Sequence, residues 1–149
     1  MRAVAQRVSS ARITVDGEEV AALGDGLLAL VGIGGDDGEE DARELARKLV
    51  HLRVFSDAEG RMNRSLREVG GALGLVSQFT LFGDVRQGRR PSFTAAAAPA
   101  VALPLFERLV DAARAEGVPV VTGRFGAHME VSLVNDGPVT LLIDTRRTF

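Results

Sequence analysis

Cysteine is absent from the 149 residues, which removes disulfides, thiolate metal sites and a cysteine nucleophile from consideration. Histidine occurs only as His51 and His128, with no HExxH-type spacing, so a metal hydrolase lacks its ligands. There is no Gly-x-Ser-x-Gly elbow and no Walker-type phosphate loop, which sets aside serine hydrolases and nucleotide-driven enzymes. The opening residues, 1–7, lack the apolar core of a signal peptide. The longest apolar stretch, residues 27–31, is far shorter than the roughly 20 residues of a membrane-spanning helix. These absences fit a cytoplasmic protein with no membrane partner, no metal and no cofactor. Charge of neither sign dominates: the net of −2 argues against a protein that coats DNA or RNA along its backbone, while leaving room for contact with one nucleic-acid end.

What is present is an ordinary globular profile, 46% hydrophobic and 26% charged, long enough for one domain over residues 1–149. Residues 3–15 read as a long extended stretch built on Val4, Val8, Ile13 and Val15, with a bulge or bend at Ser9-Ser10-Ala11 where the alternation fails. Asp16-Gly17 is a hairpin turn signal before a short strand at Val20-Ala21-Ala22. Residues 27–33 read as a buried strand. A helix is expected over 38–51, with Ala42, Leu45, Ala46, Leu49 and Leu52 on one face and Glu39, Glu40 and Asp41 favourably placed in its first turn. Val54-Phe55 reads as a short strand and 73–81 as a strong one, followed by a Gly- and Arg-rich loop over 83–91.

A second helix is expected over 100–116, with Phe106, Leu109, Val110 and Ala113 facing inward and Pro104 tolerable only near the first turn. Gly117 stops it. Three strands at 118–122, 129–134 and 139–145 complete the chain. Strands outnumber helices, which predicts an α+β domain: a curved, mostly antiparallel β-sheet or barrel with two main helices packed outside.

Two segments carry chemistry. Ser77-Gln78-Phe79-Thr80 puts polar groups at the end of an apolar strand, where an unpaired buried hydroxyl or amide costs about 1–3 kcal/mol. It is either a strand end bonded to the next loop or a functional cluster. Asn135-Asp136-Gly137-Pro138-Val139-Thr140 is rich in turn formers and reads in isolation as a plain hairpin. Its Gly-Pro bond is of the one kind for which a cis peptide is common. A rigid turn of that sort can also hold carbonyl oxygens as acceptors for an ammonium group.

Together these two segments resemble the signature motifs of the D-aminoacyl-tRNA deacylase family. Further matching segments are Leu52-Arg53-Val54-Phe55, Gly60-Arg61-Met62-Asn63-Arg64-Ser65-Leu66, Gly88-Arg89-Arg90-Pro91-Ser92-Phe93 and Thr122-Gly123-Arg124-Phe125-Gly126-Ala127-His128-Met129, with the Arg7-containing first strand. The resemblance covers nearly the whole chain in order.

It implies a homodimer with active sites at the subunit interface, acting on aminoacylated tRNA. It implies hydrolysis of the ester of D-aminoacyl-tRNA, a chiral proofreading step in translation, and cleavage of glycyl-tRNA mischarged on tRNA(Ala). Gly137-Pro138 would be a cis dipeptide reaching into the partner's pocket, where its backbone rejects L-amino acids. Ser77, Gln78, Phe79 and Thr80 are the implied catalytic residues, with Asn135, Gly137, Pro138 and Met129 in substrate binding and chiral selection. Arg7 would brace the Gly-Pro segment at the interface, and Arg86, Arg89 and Arg90 either hold tRNA phosphates or form a solvated loop. Two mechanisms stand: Thr80 attacks or activates water, or the RNA 2′-hydroxyl assists while backbone N–H groups near Phe79 and Thr80 stabilise the oxyanion. The second is favoured, because no base is evident beside Thr80. A sister deacylase with a trans Gly-Pro, acting on L-alanyl or glycyl mischarged tRNA, is the enzyme alternative. A dimeric RNA- or DNA-binding module is the non-enzyme alternative, with DNA disfavoured as a partner by the charge.

Overall fold

The spine of the computed structural model, which describes residues 1–149, is the 14-residue strand β1 (Arg2–Val15). It pairs antiparallel with β2 (Glu18–Leu23), β3 (Gly26–Gly32) and the 15-residue β8 (Glu130–Asp144). The sheet continues in parallel from β3 to β6 (Ala72–Ser77) and on to β7 (Val120–Thr122), so the curved six-stranded sheet is mixed. Its end strands β2 and β7 lean together, and the curl nearly closes. The β1–β2 turn places Asp16 and Gly17 at φ 51° and 79°, as a tight hairpin between twisted strands requires.

Side-chain phase sorts the core into two layers. Ala3 and Ala5 of β1 and Leu27, Ala29 and Val31 of β3 face the helices. Val8, Ala11, Ile13 and Leu28 fill the inside of the curl. Residues 3 and 5 therefore point one way and 11 and 13 the other, which strict alternation forbids. The irregular β1–β8 register between Val8 and Ser10 supplies the extra residue that changes the phase, at the bulge expected from Ser9-Ser10.

Two helices cover the outer layer. In α1 (Glu39–His51), Ala42, Leu45, Ala46, Leu49 and Val50 are buried, and the Asp41 carboxylate accepts the Gly38 N–H at 2.9 Å. α3 (Pro99–Ala115) starts on a proline, whose missing N–H is not needed at a helix start. Pro104 lies in its second turn, further in than expected, on an exposed position where its ring faces solvent. Between them sits a one-turn helix, α2 (Leu66–Val69), preceded by the small hairpin of β4 (Phe55–Ser56) and β5 (Met62–Arg64). The α2 turn was not anticipated, although Ser65-x-x-Glu68 carries its signature. Ser65 N–H donates to Glu68 Oε2 at 2.7 Å, and Glu68 N–H returns to Ser65 Oγ at 3.3 Å.

Two expected strand boundaries change. The strand expected over 73–81 stops at Ser77, and Phe79–Phe82 forms a 3-10 turn instead. The turn packs on the end of β3, where a Cβ on Gly32 would lie 3.0 Å from Leu81 Cβ and 3.1 Å from the Gln78 carbonyl. The strands expected at 129–134 and 139–145 are one strand, because both halves pair with β1. Asn135 to Pro138 is thus an irregularity within β8 rather than a hairpin between two strands. The register shift between Gln6 and Val8 marks the place.

Candidate active site

Where β6 gives way to the 3-10 turn, a cavity of about 700 Å³ opens between the sheet edge and the chain around α3. Its floor is Val31, Ile33 and Val76, its rim Ser77, Gln78 and Phe79. Phe93, Ala96 and Ala97 wall one side, with Phe125, His128 and Met129 on another. Twelve of the 17 lining residues are hydrophobic, which suits a flat base or an apolar side chain better than a highly charged ligand. The Phe79 and Phe93 rings meet edge to face at 5.0 Å, and Phe79 remains 57% exposed. Its ring is available to a ligand rather than committed to the core.

The 3-10 turn adds polar directionality. The first N–H groups of such a turn, those of Phe79 and Thr80, have no partner inside it. They are therefore available as donors beside the rim. Gln78 N–H donates to the Val31 carbonyl at 2.7 Å and locks the start of the turn to β3. The Gln78 side-chain amide donates to Thr80 Oγ1, so the two side chains act as one exposed unit. Thr80 itself does not line the cavity. No group of three or more His, Asp or Glu side chains gathers anywhere in the chain to hold a metal ion.

Of the residues singled out in the sequence, the fold brings Ser77, Gln78, Phe79 and Met129 together on the cavity, with Thr80 adjacent. It does not bring Asn135, Gly137, Pro138 or Arg7 to the same cavity. These four form a second cluster on the β1–β8 seam. The Gly137–Pro138 peptide is cis, and Gly137 has φ 143°. Arg7 Nε donates to the Asp136 carbonyl at 3.0 Å, and its guanidinium also reaches the Val54 carbonyl. Asn135 Oδ1 accepts the Val139 N–H at 2.8 Å while its amide donates to Thr140 Oγ1 at 2.9 Å. Both side chains that flank the Gly-Pro step are thus spent on holding its backbone.

Cavity residues not assigned a role from sequence are Phe93, Phe125 and His128. Each sits in a segment quoted above for its resemblance, but nothing in the local pattern says that 93 and 125 face one space. The second helix and the parallel β6–β7 pairing bring them there. In the loop after the turn, Arg86 is bound bidentately by Asp84, at 2.9 Å and 2.6 Å, which holds the Asp84 carboxyl far below the ordinary carboxylate range.

The curved mixed sheet with outer helices and an apolar site at a strand end define an α+β domain with a ligand-sized cavity at a sheet edge. A solved structure titled "Structural Analysis of a probable eukaryotic D-amino acid tRNA deacylase" superposes with a TM-score of 0.81 at 21% identity, covering 95% of this chain and 97% of that one. The solved c-Myc DNA Unwinding Element Binding Protein superposes with a TM-score of 0.92 at 36% identity, over 97% of this chain and 99% of its own.

In sequence, the chain is 58% identical over 149 residues to the D-aminoacyl-tRNA deacylase of Symbiobacterium thermophilum, covering 100% of this chain and 99% of that protein. It is 59% identical over 145 residues to that of Thermus aquaticus, covering 97% and 95%. The family described as D-Tyr-tRNA(Tyr) deacylase matches residues 4–144, and the chain belongs to that family.

Proposed function

We propose that the cavity hydrolyses the ester joining a D-amino acid to the terminal adenosine of tRNA. The observation that carries this reading is the site's construction. An apolar pocket with an exposed aromatic rim at Phe79 lies beside the free N–H groups at the start of the 79–82 turn. The pocket suits the base, and the N–H groups are suited to the oxyanion of the tetrahedral intermediate, where each donor contributes ~10²–10³-fold. The ribose 2′-hydroxyl next to the ester serves as the assisting group, so Ser77, Gln78, Phe79 and Thr80 position the ester rather than attack it. Gln78 and Thr80, joined by their hydrogen bond, orient the sugar side of the rim.

Enantiomer choice is assigned to the second cluster. Gly137 and Pro138, held by Arg7 and Asn135, lie outside their own chain's cavity, and on this reading a second copy of the chain delivers them. A homodimer is supported by the uncovered end of the sheet's inner face, beyond the filled part of the curl. Val4 pairs with both Leu30 and Leu142 there, and Leu142 is 66% exposed. In that dimer the carbonyls of the Gly137-Pro138 segment accept the substrate's ammonium group, and Met129 borders the side-chain space. An L-side chain, with the same ammonium anchored, would run into that braced backbone. Glycine has no side chain to reject, so glycyl-tRNA mischarged on tRNA(Ala) is also a substrate. The enzyme acts in the cytoplasm, where charged tRNA is consumed.

Parallel hydrolysis of D-tyrosyl-tRNA and L-tyrosyl-tRNA tests the reading. Rapid loss of the D-ester with the L-ester spared is expected. Survival of both esters, with tight binding of uncharged tRNA or DNA in a gel shift, would turn the assignment to a nucleic-acid-binding module. Equal loss of both esters would remove the chiral role of Gly137-Pro138.

A further inference from the structure

We propose that Arg89 and Arg90 grip the phosphodiesters of the single-stranded tRNA end just upstream of the terminal nucleoside, a positioning role that rests on the deacylase reading above. The argument begins at the stem of their loop. Asp84 N–H donates to the Ser92 carbonyl at 2.8 Å and Ser92 N–H returns to the Asp84 carbonyl at 2.9 Å, closing residues 85–91 into a loop. The stem lies next to cavity residues on both sides: the 79–82 turn, whose Phe79 is on the rim, precedes it, and Phe93 of the wall follows it. Arg90 is two residues from Ser92 and Arg89 three, so even fully extended chain keeps both within about 11 Å of the stem. The loop therefore hangs beside the mouth and cannot swing far from it.

Charge separates the three arginines of this loop. Arg86 is consumed by Asp84, through two side-chain hydrogen bonds and an Arg86 N–H to Asp84 Oδ1 bond of 3.0 Å. That pairing also neutralises the only carboxylate in the loop. Arg89 and Arg90 are exposed and make no ion pair; Arg53, Arg64, Arg67, Arg124 and Arg147 share that condition, but none of them has a second unpaired arginine next to it in the chain, and Arg12, Arg43, Arg47, Arg61, Arg108, Arg114 and Arg146 each have a carboxylate within reach. In a chain of net charge −2, two adjacent free guanidinium groups at a cavity mouth form a local cationic spot. No Lys or Arg lines the largely apolar cavity, so a nucleotide seated with its base inside places its 5′ phosphodiester at the rim, where a cation outside the cavity has to meet it. Contacts of this kind position a nucleic acid without reading its sequence.

The test compares the full chain and its Arg89→Ala/Arg90→Ala variant on D-tyrosyl-tRNA and on the D-tyrosyl ester of adenosine, which has no phosphodiester. On the tRNA ester, kcat/KM should fall roughly tenfold, through KM with kcat kept. The slope of log kcat/KM against log salt should become shallower by about 1.4, at 0.7 for each of two single-strand phosphate contacts. Hydrolysis of the adenosine ester should not change, and Arg89→Lys/Arg90→Lys should restore most of the tRNA activity, because a phosphate accepts a point charge. Arg47→Ala, on the distant α1 helix, should leave the slope as it is. An unchanged slope in the double alanine variant, or equal losses on both esters, overturns the proposal. Inactivity of the unaltered protein on both D-esters overturns the deacylase reading itself, and this inference with it.

Discussion

The Ser77–Thr80 and Asn135–Thr140 segments both interrupt apolar strands with polar residues, yet the fold handles them in opposite ways. At the first, the strand ends: β6 stops at Ser77 and the chain tightens into a 3-10 turn on the cavity rim. At the second, the strand survives: β8 runs on to Asp144, and the polar residues bulge out of the ladder away from the cavity. The difference lies in the neighbours. The 79–82 turn has a seat on β3, opened by the missing side chains of Gly32 and Gly34. The 135–138 segment lies along β1, whose pairing resumes on both sides and leaves no room to turn away. One chain thus presents a pocket at one place and a braced backbone tooth at another, and on the reading above two copies are needed to join them.

The comparison breaks most sharply at Gly137. A Cβ there would lie 2.8 Å from Val139 Cγ2 and 2.9 Å from Val139 N, at a φ of 143°. Gly137→Ala should therefore displace the tooth while leaving the pocket intact. A shift of about 1 Å corresponds to a loss of ~10²-fold in D-tyrosyl-tRNA hydrolysis, with the fold retained by circular dichroism. Full activity in this variant would separate the segment from catalysis. Next is Arg7→Ala, which deletes the donor shared by the Asp136 and Val54 carbonyls. Urea unfolding should show a loss of about 1–3 kcal/mol, and the D/L rate ratio should fall in parallel.

On the pocket side, Thr80→Ala sharpens the contrast, because Thr80 sits beside the cavity and not in it. It should cost less than about tenfold in kcat, well short of the ~10²–10³-fold that accompanies loss of an oxyanion donor. A dead enzyme with an intact fold would make Thr80 the nucleophile.

The smallest expected effect lies at the end of β8. Burial works against the Asp144 charge, but the Thr148 hydroxyl and the Arg146 N–H stabilise it and hold its carboxyl below the ordinary aspartate range. A lowered folded-state value means the contribution to stability is complete above the unfolded value and is lost as pH falls through the folded one. Unfolding midpoints should therefore drop more steeply below about pH 4 in the unaltered protein than in Asp144→Asn. Parallel curves would mean the Thr148 and Arg146 contacts contribute nothing in solution.

Much of the architecture was legible beforehand from local pattern. The spacing of Ala42, Leu45, Ala46 and Leu49 marked α1, and the failed alternation at Ser9-Ser10 marked the bulge that switches β1 between core layers. The α2 turn was legible too, in Ser65-x-x-Glu68, but at one turn long it leaves no periodicity to find. The candidate rim residues could be named only through the resemblance to a family motif, because polar side chains at an apolar strand end fit a plain strand end as well.

What only the tertiary structure decided is where such segments go. Asn-Asp-Gly-Pro has the composition of a hairpin, and no local rule keeps it in a strand. The continuous ladder with β1 does so, because hydrogen bonds on both sides outweigh the preference of four residues to turn. The convergence of Phe93, Phe125 and Met129 on one cavity, and the exclusion of Gly137-Pro138 from it, likewise follow from how the sheet curls. The sequence by itself determined which residues are polar, small or apolar and at what period. Their distances from one another depend on packing across the sheet, which pairs residues more than a hundred positions apart.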